Sequence, residues 1–183
     1  MEINSLRHRN ELPEWLNRAG LKGLGVEVGV FEGDYSWLLL HKWAGASLIG
    51  VDAYKNFPDE VYRDGCNQTN LENIGIRAAQ RFAALRRYKL MMKASLDAVK
   101  EFKDSTCDFV YIDSNHSYAS VKADIAAWWP KVKTGGVLGG HDFYQRDDEA
   151  QRADTAKAVW EFAYSIQCPF WVTSCTSWWI HKP

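Results

Sequence analysis

An acidic residue on a short apolar strand runs into a glycine turn in Gly25-Val-Glu-Val-Gly-Val-Phe-Glu-Gly33. Asp52 closes the next apolar run, Leu48-Ile-Gly-Val-Asp52, 25 residues after Glu27. Glycine is required where a strand turns sharply into a helix and where a ligand must approach the backbone, and Gly29 and Gly33 hold those places. An ionised carboxylate accepts two hydrogen bonds, so Asp52 at a strand tip is suited to grip two vicinal ribose hydroxyls. Glu27 and Asp52 therefore describe a nucleoside-type cofactor site. Further polar residues end or follow the later apolar runs: Ser95, Asp113 with His116, and His141-Asp142. In a doubly wound sheet all of these reach one edge, where ligands lie.

The elements that must deliver them follow from periodicity. Strands are expected at about 24–30, 47–52, 88–93, 107–113 and 134–142, and helices at 11–20, 36–43, 69–87, 95–102, 117–129 and 151–166. Ser95 is in place to cap its helix, and Pro130 stops the helix before it. Residues 170–174 and 177–181 are separated by two residues and read as a terminal hairpin. Strands alternating with helices give an α/β fold: a doubly wound, mainly parallel seven-stranded sheet with an antiparallel C-terminal hairpin strand. Residues 1–183 are expected to form one domain, with 53–68 and 143–150 as the material for a substrate lid.

Bulk composition excludes several classes. The 183 residues are 46% hydrophobic and 25% charged, with a formal net charge of −1, so no global field recruits nucleic acid or an anionic membrane. The basic cluster Arg77, Arg81, Arg86, Arg87, Lys89 and Lys93 reads as a solvated helix face. The four cysteines (Cys66, Cys107, Cys168 and Cys175) have no zinc-like spacing, and Cys107 and Cys168 read as small buried hydrophobes. The first ten residues lack the apolar core of a signal peptide, and no apolar run is long enough to span a bilayer. A cytoplasmic protein with reduced thiols is expected.

Glu-Val-Gly-Val-Phe-Glu-Gly, Ile-Gly-Val-Asp, Tyr111-Ile-Asp-Ser-Asn-His-Ser-Tyr118 and Trp128 through Asp142 together resemble class I S-adenosylmethionine-dependent methyltransferases. Within that class they are similar to the bacterial subgroup related to macrocin-type and catechol-type O-methyltransferases. The resemblance covers about residues 10–182 and implies a Rossmann-like fold that transfers a methyl group to a small-molecule hydroxyl. It implies that Glu27, Gly29 and Gly33 cradle the methionine moiety, that Asp52 binds the ribose, and that Ser95 sits beside the adenine. It also places Asp113, His141 and Asp142 in the slots where metal-dependent members hold Mg²⁺. The fifth-strand pair there is usually acid-acid or Asp-Asn. His141 is a softer ligand than Mg²⁺ prefers, so Mn²⁺, Fe²⁺ or no metal at all are alternatives. His116 stands three residues after Asp113, the spacing at which catechol-type enzymes carry a lysine base. Asp113, His116 and His141 are thus the candidate catalytic residues, since a bound cation or an imidazole near its unperturbed pKa of about 6.5 activates a hydroxyl.

Other readings compete. A nicotinamide (NAD)-dependent oxidoreductase is the first, although the glycine pattern lacks Gly-x-Gly-x-x-Gly and no second domain follows. A non-catalytic cofactor-binding protein is the second, and it would have no need of His141-Asp142. Gly29 and Gly33 also serve a plain turn, Asp52 a turn or cap, and His116 and His141 local hydrogen bonds. Trp37, Trp43, Trp128 and Trp160 lie at core spacing, and Trp178-Trp179 should point one inward and one outward. Tyr54, Phe57 and Tyr144 are candidates for a substrate wall. A chain this short suggests that a homo-oligomer completes the pocket.

Overall fold

The computed structural model describes residues 3–55, 70–143 and 155–183. Phe57, Tyr144, Cys66 and most of both candidate lid segments lie outside these residues. Strands β1 (Leu24–Val28), β2 (Ser47–Val51), β3 (Tyr88–Met91), β4 (Cys107–Ile112), β5 (Val132–Gly140), β6 (Phe170–Val172) and β7 (Trp178–His181) form one sheet. Its order is β3-β2-β1-β4-β5-β7-β6. The first five strands are parallel, whereas β7 runs antiparallel to both β5 and β6. The order reverses between β1 and β4, the switch point at which open α/β sheets bind ligands.

Both faces of the sheet are covered, which explains the continuous apolar run of β4: all six of its residues are buried. On one face Val26, Val28, Val110 and Ile112 pack against Ala98 of α4 (Ser95–Ala98), Val121, Ile125 and Trp128 of α5 (Tyr118–Trp128), and Ala158 and Val159 of α6 (Thr155–Ser165). On the other, Phe109, Tyr111 and Val137 pack against Leu12, Trp15 and Leu16 of α1 (Leu12–Arg18) and Tyr35 and Leu39 of α2 (Asp34–Lys42). Side chains alternate between faces along a strand, so Trp178 joins the first cluster and Trp179 the second. Both are fully buried, which corrects the expectation that one points outward. The sheet has no solvent face here because the chain before β1 folds over it, with Ile3 and Leu6 buried in the second cluster.

Other expectations also shift. Trp43 and Trp128 are core residues, but Trp37 is 40% and Trp160 56% exposed. Each lies at helical spacing on the flank of its stripe. The helix α3 (Leu71–Phe82) ends sooner than its periodicity suggests, and Arg87 beyond it is no solvated charge: its guanidinium donates to the carbonyls of Trp43, Gly45 and Leu40, tying β3 to the end of α2. Ser95 opens α4 rather than capping it; the cap position is Ala94, and the Ser95 hydroxyl is used elsewhere. Among the described residues no helix is long and apolar enough to cross a membrane.

Candidate active site

The turn after β1 brings two backbones into contact. A Cβ on Gly29, whose φ is +90°, would lie 2.0 Å from the carbonyl oxygen of Asp113, and the Asp113 N–H donates to Val28 at 2.7 Å. Only glycine permits this approach of the β1 and β4 ends. Gly33, also left-handed at φ +83°, precedes α2, and a Cβ there would strike the Phe82 ring. Of the six non-glycine residues at positive φ among the described residues, Phe31, Tyr54 and Asp142 (51°, 47° and 53°) lie at the C-terminal ends of β1, β2 and β5.

Asp52 organises this turn. One carboxylate oxygen accepts from the N–H groups of Val30 (2.8 Å) and Phe31 (2.9 Å), and the other from Tyr54 N–H at 2.8 Å. The second oxygen keeps acceptor capacity, since each carboxylate oxygen has two lone-pair directions. Tyr54, a candidate for the substrate wall, is instead buried, and its hydroxyl donates to the Phe31 carbonyl at 2.9 Å. It braces the glycine turn.

A cavity of about 370 Å³ opens at the switch point, lined among others by Gly29, Asp52, Ser95, Asp113, His116 and Asp124. That is the size of a small-ligand site. Ser95 donates to Asp124 at 2.5 Å and accepts from the indole of Trp128 at 2.9 Å, while Ser114 donates to the other oxygen of Asp124 at 3.1 Å. Burial holds the Asp124 carboxyl above its ordinary pKa even against these donors. Asp124 was not singled out from the sequence. Its signal was there: it sits on the inward stripe with Val121, Ile125 and Trp128, where a lone acid needs a reason.

Glu27 and Gly33 do not line this cavity. Glu27 is 2% exposed on the opposite face of the sheet, beside Tyr111 in the strand register, and Ser36 of α2 donates to it in a short hydrogen bond. Burial pushes its pKa up to about 8, with the Ser36 hydroxyl opposing and the nearby Asp113 adding to the rise.

Beyond the cavity, the ends of β4 and β5 bring the predicted acid and imidazole groups together. His116 Nε2 lies 3.4 Å from Asp113 Oδ1 and 3.1 Å from Asp142 Oδ2. His141 Nδ1 lies 2.9 Å from Asp142 Oδ1 and 3.9 Å from Asp113 Oδ1. Burial alone would lower the His141 pKa and raise that of Asp142. The hydrogen bond between them, with Asp113 and His116 nearby, reverses both shifts. Asp113, His141 and Asp142 offer one donor atom each within 4.8 Å of one another, a spacing compatible with a metal ion. A mixed nitrogen and carboxylate set suits Mn²⁺, Fe²⁺ or Zn²⁺ better than Mg²⁺.

One further member comes from outside every motif. Arg9 Nη1 donates to Asp113 Oδ2 at 2.8 Å, and its guanidinium lies 4.9 Å from the Tyr35 ring centroid. Burial would lower its pKa, yet Tyr111, Asp113 and Tyr35 together hold it above the ordinary value.

A doubly wound sheet of order 3-2-1-4-5-7-6, with a carboxylate and a glycine turn at its switch point, is a Rossmann-like architecture. The comparisons narrow this. Residues 26–143 match the family model described as "Methyltransferase domain", so the chain belongs to that family, and its fold is that of class I S-adenosylmethionine-dependent methyltransferases. The nicotinamide alternative falls with that match. In fold it is similar to the O-methyltransferase NovP (TM-score 0.69, 16% identity, 94% of this chain and 77% of that one). It is similar also to an O-methyltransferase from Bacillus cereus in complex with SAH (TM-score 0.63, 14% identity, 99% and 84%). An uncharacterized protein, y4gI, of Sinorhizobium fredii is 34% identical over 59 residues, which is 32% of this chain and 6% of that protein's length.

Proposed function

We propose that this enzyme methylates a hydroxyl oxygen of a small molecule, with the acceptor bound over the ends of β4 and β5. The observation that carries the reading is the convergence of Asp113, His116, His141 and Asp142 at the rim of the cofactor cavity, with contacts of 2.9 to 3.9 Å. Methyl transfer from a sulfonium is an in-line displacement, so most of the acceleration can come from holding oxygen and methyl in contact. What remains is to remove the hydroxyl proton. The His116 imidazole is the candidate acceptor; its Nε2 faces Asp113 and Asp142, whose carboxylates orient the ring and stabilise the imidazolium that results.

Asp113, His141 and Asp142 would hold a divalent cation. Such an ion, when bound, lowers the pKa of a hydroxyl group coordinated to it. On the cofactor side, Asp52 offers its remaining acceptor capacity to the ribose. Ser95, oriented by Asp124 and Trp128, sits beside the base. Gly29 lets the methionine end approach the backbone. Glu27 and Gly33 act from behind: they hold α2 against β1 and so keep the turn in place. The chain works as one domain.

The test is transfer of labelled methyl from the cofactor to panels of catechols, monophenols, hydroxy acids and amines, with wild type and Asp113→Ala. Transfer to a hydroxyl panel that vanishes in the variant, with cofactor affinity within a few-fold, is expected. Transfer to amines alone, or wild-type turnover in Asp113→Ala, overturns the reading.

A further inference from the structure

The chain ahead of β1 is fastened over the strand ends at several points. Ile3 and Leu6 are buried, Ser174 donates to the Arg7 carbonyl at 2.9 Å, and the Tyr35 hydroxyl donates to the Arg9 carbonyl at 3.0 Å. These bonds fasten the segment from Arg7 to Arg9 to α2 and to the terminal hairpin. The guanidinium is thereby held on one oxygen of Asp113.

The two oxygens of that carboxylate have different partners. Oδ2 takes Arg9 at 2.8 Å, whereas Oδ1 faces His116 at 3.4 Å and His141 at 3.9 Å. The Arg9 side chain is 29% and that of Asp113 21% exposed, so solvent screens this charge less than it would a surface pair.

We propose that Arg9 is a positioning residue that acts as a tethered cation on Asp113, leaving only Oδ1 free to ligate and weakening the site's hold on divalent metal. This rests on the reading of Asp113, His141 and Asp142 as metal ligands. A fixed positive charge on a ligand raises the free energy of bringing a second cation to it. It also turns a carboxylate able to bind through two oxygens into a one-oxygen ligand. The consequence is a site that exchanges metal readily, in a protein whose own side chain already neutralises Asp113 when no metal is bound.

The experiment is Mn²⁺ binding to the cofactor-free protein, followed by electron paramagnetic resonance of the free ion and by calorimetry, with no turnover measured. Arg9→Met and Arg9→Gln remove the charge, the second while keeping a side chain that can hydrogen-bond Asp113; Arg9→Lys keeps the charge. Binding about tenfold tighter or more in both uncharged variants, and within a few-fold of wild type in Arg9→Lys, is expected. Mn²⁺ binding in the uncharged variants alone supports the proposal equally. Should wild type bind Mn²⁺ and either folded uncharged variant bind it no tighter, the tethered-cation proposal is overturned and the metal ligands stand. Absence of binding in every variant overturns both. The gain should disappear in Arg9→Gln combined with Asp113→Asn; a gain that survives there comes from elsewhere and also overturns the proposal.

Discussion

Replacing Glu27 with glutamine removes a buried ionisation without changing the side chain's shape. In the folded protein the carboxyl titrates near 8, against a reference of 4.5, because it is sealed between β1 and α2 with the Ser36 hydroxyl as its bonded partner. A folded pKa raised in this way gives stability that is fully present below pH 4.5 and lost as pH climbs through about 8. Between those limits the loss is about 1.4 kcal/mol per pH unit, and between pH 6 and pH 8 it comes to about 2 kcal/mol. For a chain of this length that corresponds to about 4–8 °C in melting temperature. Glutamine cannot ionise and can still accept from Ser36, so Glu27→Gln should lack this part of the decline. The assay is urea or thermal unfolding of both proteins from pH 5.5 to 8.5. The quantity to read is the difference between them, in which the other titrating groups largely cancel. Parallel profiles would refute the argument. A variant less stable than wild type at pH 8 would mean that Glu27 is ionised in the fold and held so by Ser36.

Gly29→Ala should cost roughly 3 kcal/mol or more and abolish cofactor binding, because its Cβ would meet the Asp113 carbonyl oxygen at 2.0 Å. Gly20→Ala, at a positive φ but with nothing within 4 Å, is the control and should cost only about 1 kcal/mol, both read from unfolding curves and cofactor titration. Asp124→Asn should fold and lose about tenfold in cofactor affinity by calorimetry, since Ser95 loses the charged acceptor that orients it. Unchanged affinity there would separate Ser95 from the cofactor.

The placement of β1, β2 and β4 was legible because each is short, apolar and followed by its own glycine or carboxylate, whereas the order of the strands in the sheet was not read from the sequence. β4 needed only its unbroken run, since a strand buried on both faces shows no alternation. Helix ends were less legible: α3 stops at Phe82, whose ring packs under Gly33, 49 residues away in the chain. The fate of Trp178 and Trp179 was hidden for a similar reason. Alternation says that they face opposite ways, but not that both faces are covered, and the covering is supplied in part by Ile3 and Leu6 at the far end of the chain.

The candidate site divides along the same physical line. Gly29, Asp52, Asp113, His116, His141 and Asp142 announce themselves because each follows the strand that carries it, so local pattern and position at the candidate site coincide. Asp52 does two jobs at once: the three backbone N–H groups it accepts make the turn, and the capacity left over is what a ribose could use. Arg9 is the opposite case. It belongs to no strand and reaches Asp113 across 104 residues of sequence, and nothing in Arg7-His-Arg9 distinguishes one arginine from the other. What distinguishes them is the register of the backbone: Arg7 offers its carbonyl to Ser174, and Arg9 stands two residues on, where its carbonyl accepts from Tyr35 and its guanidinium lies over the Tyr35 ring beside β4. A single-residue insertion between Ile3 and Arg9 would leave every recognisable motif intact and still move the guanidinium off the carboxylate. The charge balance at Asp113 is therefore set by the part of the chain that carries no motif at all.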